Sequence, residues 1–202
     1  MKEKCAERYD IWMEKVYSPH LKLAKEYWNA HLKGSDLAID ATCGNGHDTL
    51  FLSGICSVIG LDIQITAIQN TEALLSKHMK KAALHCISHE KINTLLLPYP
   101  PNLIIYNLGY LPHGDKSITT KTGSTLESVK KSLDLLAPGG ALSITCYPGH
   151  DEGLLEERAL EGWAAALPSD KWAVVHHKWL DRRRAPSLLW ILQTCKNRLA
   201  NP

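Results

Sequence analysis

Two glycines flanked by acids are the first residues whose spacing suggests chemistry. Asp40-Ala41-Thr42-Cys43-Gly44-Asn45-Gly46 closes a short apolar run, Asp36–Ala41, and leads into a helix start at His47. Gly44 and Gly46 allow a sharp turn and a close approach of backbone to ligand. The helix start behind them offers unpaired N–H groups. Such groups hold a pyrophosphate in a dinucleotide enzyme. In an enzyme that uses S-adenosylmethionine (SAM) they hold the methionine carboxylate, with Thr42 alongside, and an acid such as Asp40 suits the amino group. Asp62 ends the next apolar run, about 20 residues on, where a carboxylate accepts both ribose hydroxyls. NAD fits less well, because the third glycine of G-x-G-x-x-G is missing and Thr49 stands in its place. The alternative is a plain strand-to-helix turn with a solvated Asp62.

A second loop follows a later apolar run. Asn107-Leu108-Gly109-Tyr110-Leu111-Pro112 comes directly after Leu103-Ile104-Ile105-Tyr106, beyond the C-terminal end of a central strand, where open α/β sheets keep their ligands. It resembles the Asn-Pro-Pro-Tyr loop of amino-methylating enzymes, with Leu108-Gly109 replacing the two prolines. In that loop the Asn oxygen and a backbone carbonyl accept from the target amine, and the aromatic ring stacks on the base. Such a site works by positioning, since SAM already carries a good leaving group. His113-Gly114-Asp115-Lys116 continues the loop as a charged lid or as a solvated turn.

Three further features invite a chemical reading. Cys146, in Thr145-Cys146, resembles the nucleophile context of RNA cytosine-5 methyltransferases, but the partner cysteine of their earlier loop is absent, so a buried strand cysteine is the default. His150, in Tyr147-Pro148-Gly149-His150, is a candidate base or substrate contact, against a structural role. Asp181-Arg182-Arg183-Arg184 sets three arginines in a turn, a candidate phosphate contact that Lys116, Lys121, Lys130 and Lys131 would extend. A solvated surface is the alternative.

Strands and helices in alternation must position these loops. Apolar spacing predicts an opening helix over Ala6–Leu32, interrupted at Ser18-Pro19 and stopped by Gly34. Strands are then expected at 36–41, 57–62, 83–87, 102–107 and 141–147, with helices at 47–52, 63–80, 126–136 and 152–167. Two last strands, 172–180 and 188–194, have no helix between them and imply an antiparallel hairpin at a sheet edge. The expected fold is α/β: a doubly wound, mostly parallel, seven-stranded Rossmann-like sheet of the class I methyltransferase outline, with an N-terminal helical extension over residues 1–34. The whole chain, 1–202, reads as one domain.

Composition narrows the class. The chain has 202 residues, 45% apolar and 22% charged, ordinary for a soluble globular domain. A net charge of +2 permits a nucleic-acid partner without demanding one. Six scattered cysteines form no C-x-x-C pair, so no zinc site or other metal site is expected, and reduced thiols in a cytoplasmic protein are. No secretory signal and no membrane-length apolar run is visible.

Taken together, these motifs resemble one family, the YtqB-like proteins, labelled rRNA methylases and assigned as MnmM-type tRNA methyltransferases. The resemblance runs from about Leu37 to Gln193. It rests on the string Ala38–Thr49, on Asp62-Ile63-Gln64, on Ser88-His89, on Asn107–Pro112 with Gly114-Asp115-Lys116, and on Tyr147 with Gly149-His150. His113, Arg182–Arg184 and the long opening helix depart from the family pattern. The resemblance implies transfer of a SAM methyl to the aminomethyl group on carbon 5 of the wobble uridine (position 34, with or without a 2-thio group) of tRNA. It implies SAM contacts at Asn45, His47, Asp62, Gln64, Ser88 and His89. Substrate is expected at Asn107, which is also a candidate cofactor contact, and at Leu108, Gly109, Tyr110, Lys116 and Arg182–Arg184, with Asp115, His150 and Tyr110 the candidate bases. The expected partner is the tRNA anticodon arm; a homodimer is allowed. Methylation of rRNA or of a small amine is the alternative substrate, and a non-catalytic SAM- or nucleotide-binding module is the alternative of another class.

Overall fold

The computed structural model describes residues 19–111 and 119–194. In chain order these form α1 (Pro19–His31), β1 (Leu37–Asp40), α2 (His47–Ser53), β2 (Ser57–Asp62), α3 (Ile65–Lys77), β3 (Ala83–Cys86), a 3-10 turn (His89–Thr94), β4 (Leu103–Asn107), α4 (Thr122–Leu135), β5 (Ala141–Cys146), α5 (Asp151–Ala165), β6 (Trp172–His177) and β7 (Ser187–Gln193). The strands make one sheet in the order β3-β2-β1-β4-β5-β7-β6. The first five are parallel, and β7 lies antiparallel between β5 and β6. The expected doubly wound sheet with a closing hairpin is therefore present. Because β6 runs the same way as β5, the β6–β7 turn lies at the same sheet end as the loops after β1, β2, β4 and β5.

The continuous apolar run of β4 explains its central place. A parallel strand covered on both faces needs apolar side chains at every position. Leu103 and Ile105 point into a cluster with Trp28 of α1 and Leu52 of α2. Ile104 and Tyr106 point the other way, into a cluster with Val129 of α4 and Leu160 of α5. The buried Tyr106 hydroxyl is satisfied by Ser128 and Ser132 of α4, at 2.6 and 2.7 Å.

The described part of the N-terminal extension, α1, packs onto the sheet. Pro19 opens the described part of its helix. Trp28 Nε1 donates to Ser143 Oγ at 2.8 Å, and the Tyr27 hydroxyl meets His177 Nε2 at 2.9 Å. These bonds tie α1 to β5 and β6. The expected helix before Pro19 lies outside the described residues.

Strand β6 ends at His177, short of the expected 180, α3 spans Ile65–Lys77 within the expected 63–80, and two elements depart further from the sequence reading. Helix α4 begins at Thr122, a turn before the expected Leu126, because its first turn buries polar Thr125 rather than an apolar side chain. The 3-10 turn, N-capped by Ser88, was not expected. Among the described residues no helix is long and apolar enough to cross a membrane, and no three His, Cys, Asp or Glu side chains gather as a metal site requires.

Candidate active site

Four loops meet at the C-terminal end of the parallel strands, and the first is the glycine turn. Gly44 (φ 51°) and Gly46 (φ 83°) both take left-handed backbone. A Cβ on Gly46 would lie 2.8 Å from Thr71 Cα, so loop and α3 touch backbone to backbone. The Gly44 N–H donates to Asp62 Oδ2 at 3.0 Å, and the Gln64 N–H donates to Asp62 Oδ1 at 2.9 Å. Asp62 is thus fixed beside the turn, half-buried, with a further backbone bond from Ile63. Burial pushes its pKa up, and these N–H bonds draw it back. Asn45 Oδ1 accepts from Asn70 at 3.0 Å, and His47 is exposed at the start of α2.

Asp40 sits behind this turn rather than on its surface. It is 1% exposed and accepts from the Thr49 hydroxyl at 2.6 Å and the Thr42 N–H at 3.3 Å. Burial, then the charge of Asp48, pushes its pKa up to about 7. Direct contact with a ligand amino group, expected from the sequence, gives way to holding the loop. Thr49, which breaks the dinucleotide fingerprint, is the residue that clamps it.

Asn107 joins the second loop to the first. Its N–H donates to Thr42 Oγ1 at 2.7 Å, and its side-chain Nδ2 donates to Asp48 Oδ2 at 3.1 Å. Asp48 Oδ1 lies 3.3 Å from Lys25 Nζ of α1. Tyr147 stands beside this group. Burial, then the Asp48 charge, holds its phenol well above the usual range, and a hydrogen bond with the Asn107 side chain opposes the rise. Asp48 and Lys25 were missed in the sequence. Asp48 lies within the quoted loop string, but its partners are far away in the chain.

The remainder of this loop divides in two. Leu108 is 3% exposed and packs in the core, with its N–H on the Thr145 carbonyl at 3.0 Å, so its side chain is no substrate contact. Gly109 turns out of the sheet with φ 115°, and Tyr110 follows, 41% exposed. Thr120 clamps the turn from both sides, its N–H on the Gly109 carbonyl and its Oγ1 under the Gly109 N–H. Asp115 and Lys116 lie outside the described residues.

The other candidates separate by burial. His150 caps α5, its Nδ1 accepting from the Gly153 N–H at 3.1 Å, which favours the structural reading over a base; its ring lies 6.0 Å from that of Tyr110. His89 is buried against Tyr106, its pKa lowered to about 4 by burial, so its ring serves the core rather than an adenine face. Ser88 remains at the surface of that turn as its cap. Cys146 is 1% exposed, and burial pushes its thiol far up, as a strand cysteine requires. Arg182 lies 4.8 Å over the Trp179 ring and Arg184 reaches Asp151 at 3.4 Å, while Arg183 is exposed between them. All three stand at the site end of the sheet. Lys121 shares that end. Lys130 and Lys131 lie more than two turns along α4, and Lys131 is taken up by Glu127 and the Glu90 carbonyl.

The cradle of Gly44 and Gly46, lacking any Cβ, and a fixed carboxylate at Asp62 suit an adenosine-bearing cofactor such as SAM. Comparison with known proteins agrees. Residues 58–193 match the model of the family described as "Putative rRNA methylase". A chloroplastic tRNA (mnm(5)s(2)U34)-methyltransferase of Arabidopsis thaliana is 33% identical over 190 residues, covering 85% of this chain and 68% of the relative. A crystal structure from Clostridium thermocellum, carrying the same family description, superposes with a TM-score of 0.83 at 30% identity, over 87% of this chain and 97% of the other. A Streptococcus mutans protein solved in complex with SAH, the demethylated form of the cofactor, gives 0.80 at 32% identity, over 87% and 98%. With this fold and these relatives, the chain belongs to the rRNA methylase family and is a SAM-dependent methyltransferase.

Proposed function

We propose that this enzyme methylates the aminomethyl group on carbon 5 of a wobble uridine in tRNA, giving the methylaminomethyl form. The observation that carries the reading is the 2.7 Å bond from the Asn107 N–H to Thr42. It makes the candidate amine holder a direct neighbour of the glycine turn. The named activity of the Arabidopsis relative supports the choice of substrate.

Each residue then has a task. Asp62 and Gln64 hold the ribose, Asn45 and His47 the methionine end, and the surface of the Ser88 turn the adenine. SAM supplies an electrophilic methyl on a sulfonium centre. Asn107 accepts from the target amine, which points the nitrogen lone pair toward that methyl. Catalysis is by orientation. An aliphatic amine is largely protonated near neutral pH, and burial in the site favours its neutral form. Tyr110, exposed beside Asn107, stacks on the uridine base. Arg182–Arg184 meet backbone phosphates near the anticodon loop.

The test offers methyl-labelled SAM to tRNA bearing aminomethyl-uridine, to ribosomal RNA and to a small primary amine. Label in the tRNA is expected. Label in ribosomal RNA or in the amine, with none in the tRNA, would overturn the assignment. SAM binding with label in none of the three would point to a binding module.

A further inference from the structure

We propose that Asp48 is the positioning residue that decides which end of the Asn107 amide faces the target amine, and that Lys25 of α1 holds Asp48 for this task. The proposal rests on the reading of Asn107 as the amine holder. An amide side chain fills nearly the same space in either orientation, but only its oxygen accepts from an amine. The NH2 end would instead compete for the nitrogen lone pair. Some neighbour must therefore tell the two ends apart.

Asp48 does so. An ionised carboxylate is acceptor-only, and its Oδ2 lies 3.1 Å from Asn107 Nδ2. Reversing the amide would set oxygen against oxygen. The Asp48 side chain is only 14% exposed, so a charge-assisted bond there is poorly screened. Its other oxygen is drawn to Lys25 Nζ, 3.3 Å away, on a helix that is itself bonded to β5 and β6. The Asn107 backbone is held by Thr42 and its side chain by Asp48, six residues apart on one loop-and-helix unit. Any shift of the glycine turn then carries Asn107 with it. The bulky N-terminal helix gains a reason beyond packing, since it delivers the cation that fixes Asp48.

The test compares Asp48→Ala and Asp48→Asn with the wild type. Three quantities are read: turnover on tRNA bearing aminomethyl-uridine, SAH affinity by calorimetry, and the Asn107 side-chain NH2 signal by NMR, assigned by its loss in Asn107→Ala. Asp48→Ala is expected to lower kcat by about 10- to 100-fold and to move the NH2 signal, while SAH affinity holds. Asp48→Asn offers one acceptor oxygen where Asp48 has two, and Lys25 draws that oxygen away from Asn107, so turnover is expected to stay well below wild type with the NH2 signal still moved. Unchanged turnover in Asp48→Ala, wild-type turnover in Asp48→Asn, or a parallel fall in SAH affinity would overturn the proposal alone. A wild type that binds SAH and leaves this tRNA unmethylated would overturn the underlying reading, and the proposal with it.

Discussion

Thr120 Oγ1 donates to Glu156 Oε2 at 2.9 Å while it accepts from the Gly109 N–H, so a carboxylate of α5 that is 2% exposed holds the loop after Asn107. The other oxygen of Glu156 takes the Thr125 hydroxyl, and Glu152 takes the N–H and hydroxyl of Thr122. Glu156→Ala would bury two threonine hydroxyls without their acceptor. The expected loss is about 2–4 kcal/mol of stability, read by urea unfolding, with slower methyl transfer in the protein that remains folded. Glu156→Gln keeps one acceptor and should lose less.

Gly46→Ala meets both strain and contact. The residue has φ 83°, and the new Cβ would lie 2.8 Å from Thr71 Cα and 2.9 Å from its Oγ1. Destabilisation of about 2 kcal/mol or more is expected, with weaker SAH binding. Gly123, in the first turn of α4, has nothing within 4 Å of its Cβ position. Gly123→Ala should instead stabilise by up to about 1 kcal/mol. Thermal unfolding of the two variants checks the contrast.

Asp40 predicts a pH dependence with a definite sign. Its folded pKa is raised to about 7, against about 4 for a free carboxylate. Between these values the folded chain keeps a proton that the unfolded chain releases, so this group's contribution falls as pH rises, and is flat above the upper value. His89, lowered to about 4 by burial, acts oppositely, losing stability as pH drops from about 6.5. Asp40→Asn isolates the first effect. Its stability relative to wild type should climb between pH 5 and 7, by at most about 1.4 kcal/mol per unit. Urea unfolding at several pH values measures this, and a flat difference would contradict it.

The arginine turn should act on RNA and not on cofactor. Replacing Arg182, Arg183 and Arg184 by Ala is expected to weaken tRNA binding and to lower the salt slope of the binding constant by about 2 to 3. SAH affinity should not move. Titration over a salt series, with calorimetry alongside, gives both numbers.

Much of the fold was legible because a parallel sheet writes itself as apolar runs. β2 matches its expected bounds, Ser57–Asp62, and β4 and β5 lie within a residue of theirs. The glycine turn and Asp62 were legible as local motifs. Period-two alternation from Ile104 through Tyr106 also puts Leu108 in the core, a signal outweighed by its place in a loop motif. The start of α4 was hidden because Thr125 and Ser128 are buried polar residues whose partners, Glu156 and the His89 carbonyl, lie 31 and 39 positions away. Asp48 and Lys25 were hidden for the same reason: nothing local distinguishes an acid that orients an amide from a solvated one.

Nucleoside mass spectrometry tests the central claim most directly. tRNA bearing aminomethyl-uridine would be incubated with SAM and either the wild type or Asn107→Ala, then digested. A gain of one methyl on that nucleoside with the wild type, lost in the variant while SAH affinity is kept, is the predicted result. An unmodified nucleoside with a wild type that binds SAH, or full methylation by Asn107→Ala, would contradict the account.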